Sequence, residues 1–250
     1  MRTTTYLGLI LGVTIVLLAV RAKGGDASIF TNYVALLIAL GGTFAATTLS
    51  SSRMTAVHAL SATQRLFLTA TVTSRRVADE LVALARQAKA KGIASIDADA
   101  VSLREPFLIK GLHLVGDGVE PERIEELLRL ESEILSEKRT AAERMFRLMG
   151  TYSPMFGLVG TLIGLIEMLK GLTDPAAIGQ GMSVALMATF YGVLLAGLFF
   201  LPLAGKVRTL DLDERLVRDQ IIAGLVAIRL GQNPEYVRET LEVFAQKKRD

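Results

Sequence analysis

Apolar and polar positions in this chain fall into long blocks, with little of the alternation that marks strands. An apolar run from Tyr6 to Val20 is soon followed by a second from Ala27 to Ser52, and then by a long charged stretch. Two further apolar segments lie between Leu148 and Gly205, joined by the short turn Lys170-Gly-Leu-Thr-Asp-Pro175. The third reads LMGTYSPMFGLVGTLIGLI and is free of charge from Leu148 to Ile166; the fourth has no charged side chain from Pro175 to Gly205. A hydrocarbon core of about 30 Å needs roughly 20 apolar residues of helix. The pattern therefore predicts an all-α membrane protein with four transmembrane helices, at about 4–21, 29–50, 149–169 and 178–204. Residues 1–52 and 148–205 form the membrane part, and the 53–147 loop with the 206–250 tail a helical cytoplasmic part.

The charged blocks show helical periodicity. The stretch Val77 to Ala88 is amphipathic and breaks at Lys91-Gly92; Glu105-Pro106 and Gly116-Asp-Gly118 punctuate the middle of the loop. Pro121 opens a long run with Ile124, Leu127, Leu128, Leu135 and Met145 on one side, leading almost directly into the third span. In the tail, Val207, Leu210, Val217, Ile221, Leu225 and Ile228 mark another amphipathic helix, ended by Gly231-Gln-Asn-Pro234 before a short last one.

Within the membrane segments the small residues are patterned. Gly157, Gly160, Thr161 and Gly164 share one helix face by the spacing i, i+3, i+4, i+7, and Ala185, Ala188, Thr189 and Gly192 share another. Such stripes let helix backbones approach closely, with threonine hydroxyls as the polar groups on offer.

Loop lengths and flanking charge predict the topology. Lys and Arg beside the membrane ends (Arg53, Arg144, Arg147, Lys206, Arg208) place the large charged regions and both termini in the cytoplasm, against the weaker opposing pair Arg21 and Lys23. Only the short turns near 21–28 and 170–178 face outward. The N-terminal run lacks a small-x-small cleavage site and reads as a retained span.

Composition narrows the function. At 51% hydrophobic the chain is too apolar for one soluble core, and without cysteine it has no disulfide or thiolate metal site. His58 and His113 lie far apart, and no phosphate-cradling loop, nucleophile elbow or metal-ligand spacing occurs, so no enzyme, cofactor or metal is expected. Ion-carrying membrane proteins usually place an ionisable residue in mid-membrane. The candidate here, Glu167, stands at the outer end of the third span and reads as an interfacial, solvated group. An ion pathway would need a carboxylate from a partner.

The segment YSPMFGLVGTLIGLIEMLKGLTDPAAIGQGMSVALMATFYGVLLAGLFFLPLAGKV, with LIALGGTFAATTL in the second span and AIRLGQNPEYVRETL near the end, resembles the A subunit of the bacterial flagellar stator, the MotA/PomA family. The resemblance covers almost the whole chain. It implies a homopentamer around a dimer of the stator B subunit, whose membrane aspartate carries the coupling ion and whose periplasmic domain holds peptidoglycan. Ion flow would turn the ring in the inner membrane against the flagellar rotor switch protein (FliG-like); membrane lipids are the other partner, and nucleic acid is none. Pro154 and Pro202 match the family's prolines near the cytoplasmic ends of spans three and four, either as hinges or as static kinks. The family's rotor-contacting charges fall on Lys89 and Asp97, while Ala90 and Ala98 occupy places that are charged in some relatives.

The coupling ion turns on Thr161 and Thr189. A carboxylate can carry H⁺ as a neutral acid, but Na⁺ must be given neutral oxygens in place of water, and threonine hydroxyls and helix carbonyls are the sources inside a membrane. Thr161 is commonly alanine in proton-driven relatives, and GTLIGL resembles the sodium-driven ones. Sodium is the expected ion and H⁺ the alternative; each hydroxyl could instead bond the carbonyl one turn back. Other functions compatible with the pattern are an ExbB/TolQ or antiphage ion-driven motor, or a membrane scaffold without ion flux.

Overall fold

The computed structural model describes residues 2–22, 30–57, 59, 61 and 73–246. Among them there is no strand. The elements are α1 (Arg2–Ala22), α2 (Tyr33–Ser50), α3 (Ser74–Lys91), α4 (Pro106–Gly116), α5 (Pro121–Lys170), α6 (Pro175–Arg229) and α7 (Pro234–Gln246). The chain divides into two units, one of residues 1–68 and 138–208, the other of 69–137 and 209–250. Both long helices, α5 and α6, run from one unit into the other.

Local chemistry explains the ends. Asn32 caps α2 by accepting the N–H of Ala35 at 3.0 Å, so this helix begins at Tyr33 instead of near 29. Asp174 accepts from Ala176 at 2.9 Å and Pro175 stands at the first position of α6, which stops the chain from continuing α5 through the turn. Gly92, Gly118 and Gly231 take positive φ at the three breaks after α3, α4 and α6, a conformation that costs glycine little.

Among the described residues α2, α5 and α6 are long and apolar enough to cross a membrane; α1 carries the shorter apolar stretch Ile10–Ala22. The outer turn expected at 21–28 lies mostly outside the described residues, as does His58. In this unit α5 and α6 expose Leu158, Leu162, Ile166, Met182, Leu186 and Val193, an apolar surface suited to lipid or to neighbouring helices.

The second unit has an ordinary core. Leu81, Leu108, Leu112, Ile124, Leu128, Ile221, Leu225, Ile228 and Leu241 are fully buried, each worth about 2 kcal/mol of transfer free energy. Two polar staples run through it. Gln220 accepts from the Ser74 hydroxyl at 2.8 Å and donates to the Leu241 carbonyl at 3.2 Å, tying α6 to α3 and α7. Buried Arg218 donates to Ser132 and Ser136 at 3.0 Å each and faces Asp211 and Glu214, so its charge is compensated where water is absent.

Candidate functional site

The small-residue stripes of α5 and α6 meet along their length. A Cβ at Gly164 would stand 2.4 Å from the Gly181 carbonyl oxygen and 2.6 Å from the Ala185 nitrogen. One at Gly157 would stand 2.9 Å from the Ala188 oxygen, and one at Gly160 would meet the Ala188 side chain at 2.4 Å. At Gly192 the nearest atoms would be the Ser153 oxygen at 2.7 Å and the Gly157 Cα at 3.0 Å. Backbone therefore touches backbone at both ends of the contact, and any side chain larger than hydrogen would push the helices apart. Gly181 belongs to this seam as well. Its signal was present, since it stands four residues before Ala185 on the same face.

Between the Gly164–Gly181 and Gly157–Gly192 approaches lie Thr161 and Thr189, with their hydroxyls hydrogen-bonded to each other. The Thr161 hydroxyl also lies 3.1 Å from the Gly157 carbonyl and 3.2 Å from that of Ala185, which the Thr189 hydroxyl reaches at 3.4 Å. Two hydroxyls and two carbonyls thus gather in one small volume with only two protons among them. Some oxygen lone pairs stay available, and Thr189 is exposed on the protomer surface. The back-bond to the preceding turn and the contact across the helix pair coexist.

The prolines sit in different surroundings. Pro154 is half-buried inside α5, whose winding stays α-helical around it. Pro202 is exposed and follows a π-helical stretch, Leu195–Phe200, within α6. Proline offers no N–H to the carbonyl four residues back and crowds it; the wider π turn is one way for a helix to accommodate the mismatch. A second π stretch, Leu37–Gly41, lies in α2. Neither could be read from the sequence, because hydropathy does not register a one-residue change in winding.

Near the Asn32 end of α2, polar groups fasten it to α6. The Asn32 N–H donates to the Tyr191 hydroxyl at 3.1 Å, that hydroxyl donates to the Phe30 carbonyl, and the Asn32 amide reaches the Ser183 hydroxyl at 3.3 Å. At the other end of α2 the hydroxyls of Ser50 and Tyr152 are 2.8 Å apart.

Lys89 and Asp97 belong to the second unit and are both exposed. Lys89 lines a shallow groove with Arg86, Ala90, Asn233, Pro234 and Glu235. Asp97 caps the short turn Ala98–Ala100, accepting from the Asp99 N–H at 3.0 Å. Ala98 is buried in the core, which accounts for an uncharged residue there; Ala90 is exposed. Among the described residues no group of His, Asp and Glu could hold a metal ion.

Three helices long and apolar enough to cross a membrane, two of them closely packed with an uncharged cluster of oxygens between them, mark an all-α multi-pass membrane protein. Residues 99–220 match the MotA/TolQ/ExbB proton channel family. The chain is 30% identical to the chemotaxis protein PomA of Vibrio alginolyticus over 98% of its own length and 95% of that protein. It is 36% identical to motility protein A of Borreliella burgdorferi over 67% of its length and 65% of that one. Its fold superposes on the structure of MotAB from C. jejuni with a TM-score of 0.90 at 25% identity, covering 98% of this chain and 96% of that one. The chain belongs to the MotA/PomA family of flagellar stator A subunits. It is an ion-channel subunit of a flagellar motor, in the inner membrane.

Proposed function

We propose that this subunit couples sodium flow to rotation, through a site that Thr161 and Thr189 complete with a carboxylate supplied by a B subunit. The observation that supports this most is the hydroxyl pair itself. Its oxygens are uncharged, held between two backbone-tight contacts, and open on one side at Thr189. Sodium stripped of water needs several neutral oxygens beside its counter-charge, and here two hydroxyls and two carbonyls converge. A proton carried on a carboxylic acid needs none of them.

The need for a partner is supported by the chain's own chemistry. Apart from Glu167 near the outer end, the third and fourth apolar segments hold no acidic residue. The C. jejuni structure is one of MotAB, and on that likeness a MotB/PomB-like subunit supplies the carboxylate. The assembly is read as five A subunits around two B subunits, with four spans per A subunit and both termini cytoplasmic. Pro154 and Pro202 are read as the points where the membrane helices bend as the ring turns, and Lys89 and Asp97 as contacts to the rotor switch protein. In this role the chain performs no catalysis.

Cells that lack their own copy, supplied with this chain and its natural B subunit, test the assignment. Replacing sodium by potassium at constant pH is expected to stop the motor. Thr161→Ala should cut torque in sodium medium by tenfold or more while membrane levels of the complex change little. Equal rotation in potassium would show a proton motor and end the sodium reading.

A further inference from the structure

Most hydroxyls on the membrane helices satisfy themselves locally. Thr43, Thr47, Thr48, Ser50 and Thr151 each donate to the carbonyl four residues back, on Ala39, Thr43, Phe44, Ala46 and Arg147. This is the usual habit of serine and threonine inside a helix, a bond that ties the hydroxyl to its own helix, although the Ser50 hydroxyl also meets that of Tyr152. Ser153 departs from it. The residue is 0% exposed, and its hydroxyl crosses to the other helix to donate to the Gly192 carbonyl at 2.9 Å.

The acceptor is placed where α6 changes its winding. The N–H of Leu195, the first residue of the π stretch, is divided between the carbonyls of Gly192 and Tyr191. Where a helix changes its winding, backbone carbonyls lose the regular four-residue pairing, and serine side chains are one source of donors that membrane helices use. The donor is equally placed: Ser153 immediately precedes Pro154. One hydrogen bond thus joins the proline-bearing turn of α5 to the entrance of the π stretch that precedes Pro202.

The same bond brackets the hydroxyl pair. Thr161 lies two turns along α5 from Ser153, roughly 12 Å by helix rise, and Thr189 lies less than one turn from Gly192. Beyond the pair stands the Gly164–Gly181 contact. A contact between bare backbones limits how closely two helices approach but sets their axial register only weakly. A directional hydrogen bond sets it firmly. For two threonine oxygens to act as one site, register matters more than distance of approach.

We propose that Ser153 is a positioning residue for ion passage, whose bond to Gly192 holds α5 and α6 in the register that lets Thr161 and Thr189 act together. This rests on the reading of that pair as the ion pathway. The Ser153→Ala variant is examined in cells with the natural B subunit, measuring motor speed against coupling-ion concentration and, separately, the amount of complex in the membrane. The concentration for half-maximal speed should rise about three- to tenfold, the range one interhelical hydrogen bond in a membrane is worth. The amount of complex should stay near that of the unchanged chain.

An unchanged half-maximal concentration would overturn the proposal even if top speed fell, since a merely structural serine changes how many motors work and leaves their ion affinity alone. If Ser153→Ala does not accumulate, Ser153→Cys keeps the shape with a weaker donor; it should shift the same midpoint by a smaller factor, and no shift would again refute it. Should the unchanged motor prove indifferent to sodium, the sodium reading fails by itself, and the midpoint is read against pH. A shift of the Ser153→Ala midpoint on that axis would keep the positioning role; its absence would end it.

Discussion

At the scale of single residues, the same side-chain type does different work according to what its neighbours leave unsatisfied. Thr43 and Thr47 are buried hydroxyls spent on their own helix, whereas Thr161 reaches its own helix and its neighbour together. Charge follows the same logic. Arg218 is buried against two serines and two carboxylates and so belongs to the framework. Lys89 is exposed at a groove and free to meet a partner, and Asp97, though it caps a turn, keeps its charge exposed. Charge reversal of either residue is expected to slow swimming severalfold without reducing assembled complex, and the effect should be largest at low ionic strength, where screening is weakest. Swimming assays with a parallel blot for membrane complex check it; normal swimming of the double reversal in low salt would remove both residues from the rotor contact. Ala98 was legible in the sequence only as a missing charge, and its burial supplies the reason.

At the scale of elements, glycine placement governs the α5–α6 seam. Gly164 would press a Cβ onto backbone, which cannot yield, while Gly179 on α6 has nothing within 4 Å of the same position. Gly164→Val should therefore separate the helices and cost about 1–3 kcal/mol or more of packing. Gly179→Val should be close to neutral. Thermal unfolding of the purified complex in detergent, run on both variants, distinguishes them; equal midpoints would mean that the seam tolerates separation. The i, i+3, i+4, i+7 stripes announced that both helices would pack. They did not announce the π turns, the Ser153 bond or the Tyr191–Phe30 link, since each depends on which partner atom stands opposite.

At the scale of the whole molecule, the long charged stretches and the short turns impose a sidedness on the chain. The proposed topology puts both termini and the 53–147 loop in the cytoplasm, and single cysteines in this cysteine-free chain test it directly. An impermeant thiol reagent on intact cells is expected to label a Thr173→Cys variant and to spare a Ser95→Cys variant until the membrane is opened. The reverse pattern would invert the protein, and labelling of both would break the four-span scheme. The count of spans enters here too: α2, α5 and α6 qualify by length and hydropathy, whereas α1 is a 21-residue helix with the shorter apolar stretch Ile10–Ala22, which the proposed four-span scheme takes as the fourth.

Hydropathy blocks, proline and glycine punctuation and the small-residue stripes are properties of the chain read in one dimension. By themselves they determined that the protein is helical, that its apolar helices suit a membrane, and which faces of α5 and α6 are thin enough to touch. The physical reason is that burial in hydrocarbon and helix capping depend on residues within a turn or two of one another. Tertiary structure alone decided which oxygens meet. The pairing of Thr161 with Thr189, the crossing of the Ser153 hydroxyl to Gly192, the π winding before Pro202 and the burial of Ala98 all join groups far apart in the chain. A hydrogen bond acts over about 3 Å, and no spacing along the sequence encodes a distance that short between two separate helices.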